Sequence, residues 1–291
     1  MVDLSFLGQT ILNGLSVGCI YGLIGIGFCV IYNASGIVNF AQGAFVMLGG
    51  MITYVLMSWH VPMVIAALIT IICVALVGII IERIVVRPLW DRKATMFVMI
   101  LATLAAQIVI ERATLILVGD QPKSLPVFTD LPPLRLFGIA IGYQTLWIFG
   151  ASIVLIIALG LFFQKTLIGR AMRACSINRE AAALQGIKVS HMLALSFALS
   201  AGLGAIAGIL VTPTQFTAFN VGTPFAISGF IAAIVGGFGR PFGAFLGGLT
   251  LGLAQALAVF ALGAGLKNMA ALSVLLIFLF LRPSGILGSA K

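Results

Sequence analysis

Charge is what this sequence has least of. Lys, Arg, Asp and Glu make up 8% of its 291 residues, with 16 basic against 7 acidic side chains. Soluble domains carry about 25% charged residues, and a soluble fold of this length could not cover its surface with so few. That excludes a soluble enzyme, a nucleic-acid-binding domain and a disordered chain. Apolar segments alternating over about ten residues are missing too, which excludes a membrane β-barrel. Cysteine is sparse. Cys19, Cys29 and Cys73 lie in apolar runs and Cys175 in a basic loop, which is the placing of small apolar filler, not of a disulfide frame. No cluster has metal-ligand spacing, no nucleophile stands beside a base, and no Asp, Glu or His relay crosses the apolar runs, which argues against a proton-coupled carrier. The phosphate-loop pattern G-x-x-x-x-G-K-[ST] is absent, so any ATP that drives this chain must bind elsewhere. Met1-Val2-Asp3-Leu4-Ser5 lacks a basic n-region, and the apolar stretch behind it is too long for a signal core. The first segment is expected to be a retained span.

What is present is apolar: 62% hydrophobic residues and 34 glycines. The expected fold class is an all-α polytopic membrane protein. Apolar runs cover 6–32, 40–58, 62–81, 94–118, 144–163, 191–211, 225–238, 242–263 and 264–281. The 225–238 run has 14 residues, too few to cross straight, and reads as a broken or re-entrant helix. The chain is read as one transmembrane domain, 1–291. It has a short charged loop at 82–93, a proline-rich loop at 119–143 whose 134–141 stretch fits a small hairpin, and a basic loop at 164–190. Putting the 82–93 and 164–190 loops inside leaves only Arg112, Lys123, Arg135 and Lys267 outside, of 16 Lys and Arg. By the positive-inside rule this predicts about nine crossings, the N-terminus and the 119–143 loop external, and the C-terminus and the 164–190 loop cytoplasmic.

Glycines four apart recur at Gly18/Gly22, Gly204/Gly208, Gly239/Gly243/Gly247 and Gly248/Gly252. They predict close helix packing, or a seam that moves. A short echo links 43–50 to 243–250, with Gly-Ala-Phe followed by Leu-Gly-Gly in both. Glu111 and Arg112 are the one adjacent ion-pair candidate inside an apolar run and read as an anchor near its outer end. Neutral polar residues suit a path for a small polar or zwitterionic solute, or equally hydrogen bonds between helices. They are Asn13 and Ser16 in the first run, Asn39 and Gln42 opening the second, Gln107 in the fourth and Ser228 in the short one.

The 164–190 loop is the sharpest feature. It carries Arg170, Arg173 and Arg179, then Glu180 and the alanine run through Ala182, and ends at Gly186. Asn178 offers a helix start, the alanines favour helix, and Gly186 offers a stop. An exposed short helix with small side chains can seat in another protein's groove. From the residues alone, two readings stand: a carrier driven by a separate ATPase, or a passive channel for a small neutral solute, which has no use for such a loop.

Several stretches carry a resemblance. They are 36–43 (GIVNFAQG), 167–175 (LIGRAMRAC), 180–187, 235–239 (VGGFG) and the ending 282–288 (RPSGILG). The chain resembles the H-type (LivH-type) permease subunits of bacterial ABC importers for branched-chain amino acids, over essentially its whole length. It departs at Gln42, where many members are expected to carry histidine. The resemblance implies a permease in the bacterial inner membrane with no cofactor of its own. Its implied partners are a related M-type permease subunit, two cytoplasmic ATPases that bind ATP and Mg, and a periplasmic solute-binding protein, with no nucleic acid. It implies that Arg170, Arg173, Arg179, Glu180, Ala182 and Gly186 belong to a coupling helix that docks on the ATPase. It also implies solute movement by alternating access. The solute class stays open among branched-chain or other amino acids, urea, short amides and aromatic acids.

Overall fold

The structure, a computed structural model, describes residues 4–136, 138–282 and 284–287. In chain order it runs α1 (Leu4–Ser35), α2 (Gln42–Ser58), α3 (Met63–Ile81), a π-helical turn (Glu82–Val86), α4 (Arg87–Asp91) and α5 (Met96–Val118). A hairpin of β1 (Leu134–Leu136) and β2 (Ile139–Ile141) follows. Then come α6 (Tyr143–Lys165), α7 (Leu167–Ile177), α8 (Arg179–Leu184), α9 (Val189–Gln215), α10 (Gly222–Gly236), α11 (Pro241–Leu262), a 3-10 turn (Ala264–Leu266) and α12 (Lys267–Leu281). Among the described residues six helices are long and apolar enough to cross a membrane, and α2, α10 and α12 are shorter apolar helices. Pro283, Gly288 and Lys291, used in the sequence reading, lie outside the described residues.

α1 is the axis of the bundle, with Ile20, Leu23, Ile24 and Phe28 fully buried. Between apolar helices in lipid the hydrophobic effect gives little attraction, so close van der Waals packing must supply it. Glycine provides the closeness. A Cβ on Gly248 or Gly252 of α11 would collide with the backbone of α1 at Gly18 and Gly22 or at Gly14 and Gly18. On another face of α11, Gly243 and Gly247 meet α10 at Gly236 and Ala232, while Gly204 and Gly208 of α9 meet α2 at Phe45 and Val46. The echo segments thus bracket α10: Gly43 packs on Gly222 at its start and Gly243 on Gly236 at its end. The outer helices α3, α5, α6 and α12 turn Ile72, Phe97, Val154 and Phe280 outward, an apolar belt of the kind lipid faces.

The two ends of the bundle differ. One holds the hairpin, whose Ala140 N–H donates to Gln9 Oε1 of α1 (3.0 Å), and a backbone pair between Lys123 and Thr217. The other holds α7, α8 and the arginines. There Asn33 Nδ2 donates to the Gly239 carbonyl (2.8 Å), and Arg173 Nη2 donates to the Phe163 carbonyl at the exit of α6 (3.0 Å). The hairpin forms as expected, with Leu134 opposite Ile141 and Leu136 opposite Ile139.

Three expectations change. The 82–93 stretch is not a loop, because helix continues through the π turn and α4 to Asp91. Glu82 is fully buried, and Arg87 grips it with Nε at 3.0 Å and Nη2 at 3.2 Å. A five-residue separation brings the two onto one face of a π turn, and pairing lets the charge stay inside. The 164–190 loop contains two helices, not one. The second apolar run does not begin at an end of the bundle. α2 starts inside it, after a buried link at 36–41, as the next section describes.

Candidate functional site

Two short helices start in the interior. Gln42, first residue of α2, is held by α9 and α1. Its Nε2 donates to the Ser200 carbonyl (3.1 Å). Ser200 Oγ has one proton and two acceptors in reach, Gln42 Oε1 (2.6 Å) and the Gly27 carbonyl (2.8 Å). At 1.5 Å per residue, Gly27 lies about 12 Å from the end of α1 and Ser200 about 16 Å from the start of α9. α2 therefore begins near mid-depth and runs alongside α9 to the hairpin end. α10 does the reverse. The chain leaves α9 at the hairpin end and turns inward, and α10 starts where Gly222 meets Gly43, backbone on backbone. It then runs to the arginine end. A long helix, an inward link and a short helix in the opposite direction thus occur twice, pointing opposite ways. That is a pattern of transporter folds built on broken helices.

At this junction α5 supplies the polar groups. Thr103 Oγ1 accepts from the Phe40 N–H (3.2 Å). One turn on, Gln107 Nε2 donates to Thr223 Oγ1 (2.7 Å) and Glu111 Oε1 (3.0 Å), and Thr223 donates to the same carboxylate oxygen (3.0 Å). Asn39 is fully buried. Its Oδ1 accepts from the Ala41 N–H (3.1 Å), which fixes the amide orientation. Asn39 Nδ2 and Gln107 Oε1 are left buried with no partner among the described residues, a state that costs about 1–3 kcal/mol per group.

The structure thus gathers Asn39 and Gln107 around the interior helix starts and places Gln42 beside them, committed to α9 and α1. Ser228 is buried further along α10, about 9 Å from Gly222. Ser16 is buried in α1. Asn13 lies apart, exposed on α1 with its Oδ1 3.5 Å from Gln9 Nε2. Sequence reasoning missed Thr103 and Thr223. Neither forms a motif, and only the meeting of α5 with two helix starts gives them a role. It paired Glu111 with Arg112, but Glu111 turns to Gln107 and Thr223, and Arg112 sits over the Phe219 ring at 5.9 Å.

The second candidate region is the arginine end. Thr166 Oγ1 caps α7 by accepting from the Gly169 N–H (2.9 Å). Asn178 Oδ1 caps α8 by accepting from the Ala181 N–H (3.0 Å). α8 closes at Gly186, whose φ of +81° admits the terminal bonds from Gly186 N–H to Ala183 and from Ile187 N–H to Ala182. Such a stop favours glycine. Arg179 stacks on Trp90 of α4 at 4.4 Å. Burial lowers its pKa, which the nearby Cys175 opposes, and burial pushes the Cys175 thiol up. Arg170 and Glu180 are exposed. Ala182 is 4% exposed and faces the chain itself, whereas Ile177 at 82% and Leu184 at 87% project outward. A cavity of about 680 Å³ opens nearby between α1, α6 and α7, with Asn33, Arg173, Ser176 and Arg240 in its lining.

Comparison with known proteins finds a family match for the sequence over most of its length. Residues 10–281 fit the family described as "Branched-chain amino acid transport system / permease component". The chain is 33% identical to the branched-chain amino acid permease protein BraD of Pseudomonas aeruginosa, across 96% of this chain and 95% of that one. It is 28% identical to LivH of Escherichia coli K12, with the same coverage. In fold it is similar to a solved structure of PsaBC from Streptococcus pneumoniae in complex with Fab. The TM-score is 0.55 at 13% identity, covering 97% of this chain and 94% of that one. The chain belongs to the family of permease components of branched-chain amino acid transport systems.

Proposed function

We propose that this chain is the membrane-spanning permease subunit of an ATP-driven importer for branched-chain or related small amino acids, in a bacterial inner membrane. Family membership supports the solute class. The outward face of α7 and α8 carries the rest of the reading. Ile177 and Leu184 stand almost fully exposed beside Arg170, at the end of the bundle where the basic residues gather. Apolar side chains there, away from the lipid-facing belt, suit another protein's groove. A passive channel has no use for that face. The arginine end is cytoplasmic and the hairpin end external in this reading, with nine crossings when α2 and α10 are counted with their links.

The partners are two ATPase subunits that hold ATP and Mg, a second M-type permease and a periplasmic binding protein. Motion of the ATPases reaches the bundle through α8. Arg179 ties α8 to Trp90 of α4, and Arg87 ties α4 to the start of α9 through the Ser190 carbonyl at 3.2 Å. Tilting α9 against α2 and α10 would expose the interior junction to one side and then the other.

Because Ala182 faces inward, the docking probe is Leu184. In liposomes with the partner subunits, Leu184→Glu should insert and assemble its fold normally yet lose coupled uptake or release the ATPase. Arg170→Ala should weaken coupling mildly, by the ~0–1 kcal/mol of an exposed pair, and its deficit relative to the parent should shrink at high salt, where the pair is screened. Full coupled transport by Leu184→Glu sinks the docking assignment.

A further inference from the structure

We infer that the junction of α2, α5 and α10 is a discrete binding site for the zwitterionic head of an α-amino acid, built from Asn39, Gln107, Glu111 and the start of α10. The inference rests on the amino-acid permease reading above and adds to it a place where the solute is held.

The start of α2 is largely satisfied, since the N–H groups of Gln42, Gly43 and Phe45, and those of Phe40 and Ala41 just before it, have acceptors. The start of α10 is less so. The Gly222 and Thr223 N–H groups have no acceptor among the described residues, and Pro224 has no N–H to offer. A helix of 15 residues that opens inside the bundle with free donors favours an anion there. Asn39 Nδ2, fully buried and unpartnered, is a second donor of the same sign of polarity. Opposite them stand acceptors: Gln107 Oε1, also buried and unpartnered, and the Glu111 carboxylate. Thr223 joins the two halves, since its backbone N–H belongs to the donors while its hydroxyl accepts from Gln107 Nε2 (2.7 Å) and donates to Glu111 Oε1 (3.0 Å).

Donors and acceptors gathered at one helix start match a carboxylate and an ammonium on one carbon. The orphan atoms then have partners, and the buried cost they carry without them is relieved on binding. Phe40, whose ring meets Phe28 and Phe230 at 6.0 and 5.2 Å, is the apolar neighbour for a branched side chain. Thr223 is exposed and Glu111 half-buried, so the mouth lies between α5 and α10, and the solute enters as Gly43 and Gly222 part.

The test is equilibrium binding of radiolabelled L-leucine to the assembled transporter in nanodiscs, without the binding protein. Saturable binding is expected. It should be competed by valine and isoleucine, but not by leucine methyl ester, which lacks the carboxylate, or by N-acetyl-leucine, which lacks the ammonium. Asn39→Ser keeps a short acceptor for Ala41 N–H but replaces the Nδ2 amide donor with a shorter hydroxyl one bond length back from it, and Gln107→Met removes the acceptor. Each should weaken binding about tenfold or more. Asn39→Asp keeps the shape and should also weaken binding through charge repulsion. Wild-type affinity in any variant that assembles and melts like the parent overturns the site. So does a wild-type transporter that takes up leucine in liposomes yet shows no saturable binding. A transporter that takes up only a solute without an amino-acid head overturns the underlying function reading and the site with it.

Discussion

Single side chains inside this bundle carry more of its specificity than their number suggests. Glu82 is the sharpest case. It is fully buried, and Arg87, 35% exposed, is its ion-pair partner. Removing the partner leaves a buried carboxylate without compensation, which costs about 3–5 kcal/mol. Arg87→Met should therefore lower the thermal stability of the purified permease strongly. Glu82→Gln, which keeps shape and removes the charge, should be milder, and differential scanning fluorimetry in detergent separates them. Equal, small effects would mean the pair does not hold the π turn. Cys175 supplies a second residue-level check. Burial and a raised pKa leave little thiolate, so maleimide should label it slowly. Arg179→Ala, which removes the stack on Trp90, should speed labelling by opening α7–α8, whereas unchanged labelling would detach that stack from the integrity of the module.

At the scale of elements, glycine decides how closely helices meet. Gly248 touches α1 backbone to backbone, while a Cβ on Gly150 of α6 would meet nothing within 4 Å. Gly248→Val should cost several kcal/mol by overpacking, beyond the usual ~1–3 kcal/mol because backbone must shift, and should abolish stable expression. Gly150→Val should be nearly silent, and size-exclusion yield in detergent tells them apart. Glycines four apart were legible in the sequence; which helix each faced was not, because that depends on how α1 sits between α9, α10 and α11. The helix at 179–184 was legible from Asn178, the alanines and Gly186, all local signals. α7 was not, since its alternation of basic and apolar residues (LIGRAMRACSI) reads in sequence as a charged loop. The interior start of α2 was also hidden. Hydropathy marks where apolar chain begins, not how deep it begins, and the link at 36–41 is itself apolar. Asn39 and Gln107 were legible as polar residues in apolar runs, but their shared junction needed α10.

At the scale of the whole molecule, the two ends of the bundle must face different compartments. Lys123 is half-buried, with its backbone paired to Thr217 and its ammonium over Tyr54 at 5.4 Å, so Gln121, exposed beside it, is the better external probe. In a background lacking native cysteines, an impermeant thiol reagent on intact spheroplasts should label Gln121→Cys and spare Lys188→Cys. The opposite pattern would invert the topology. The central claim, that this bundle moves amino acids only when driven from outside itself, meets its most direct test in transport. The purified permease would be reconstituted in liposomes with its partner permease, ATPases and binding protein, and uptake of L-leucine, L-isoleucine and L-valine measured with and without ATP. The account predicts accumulation above the external concentration that requires ATP hydrolysis and the binding protein. Equilibration of the solute at the same rate without ATP would contradict it and make the chain a passive channel.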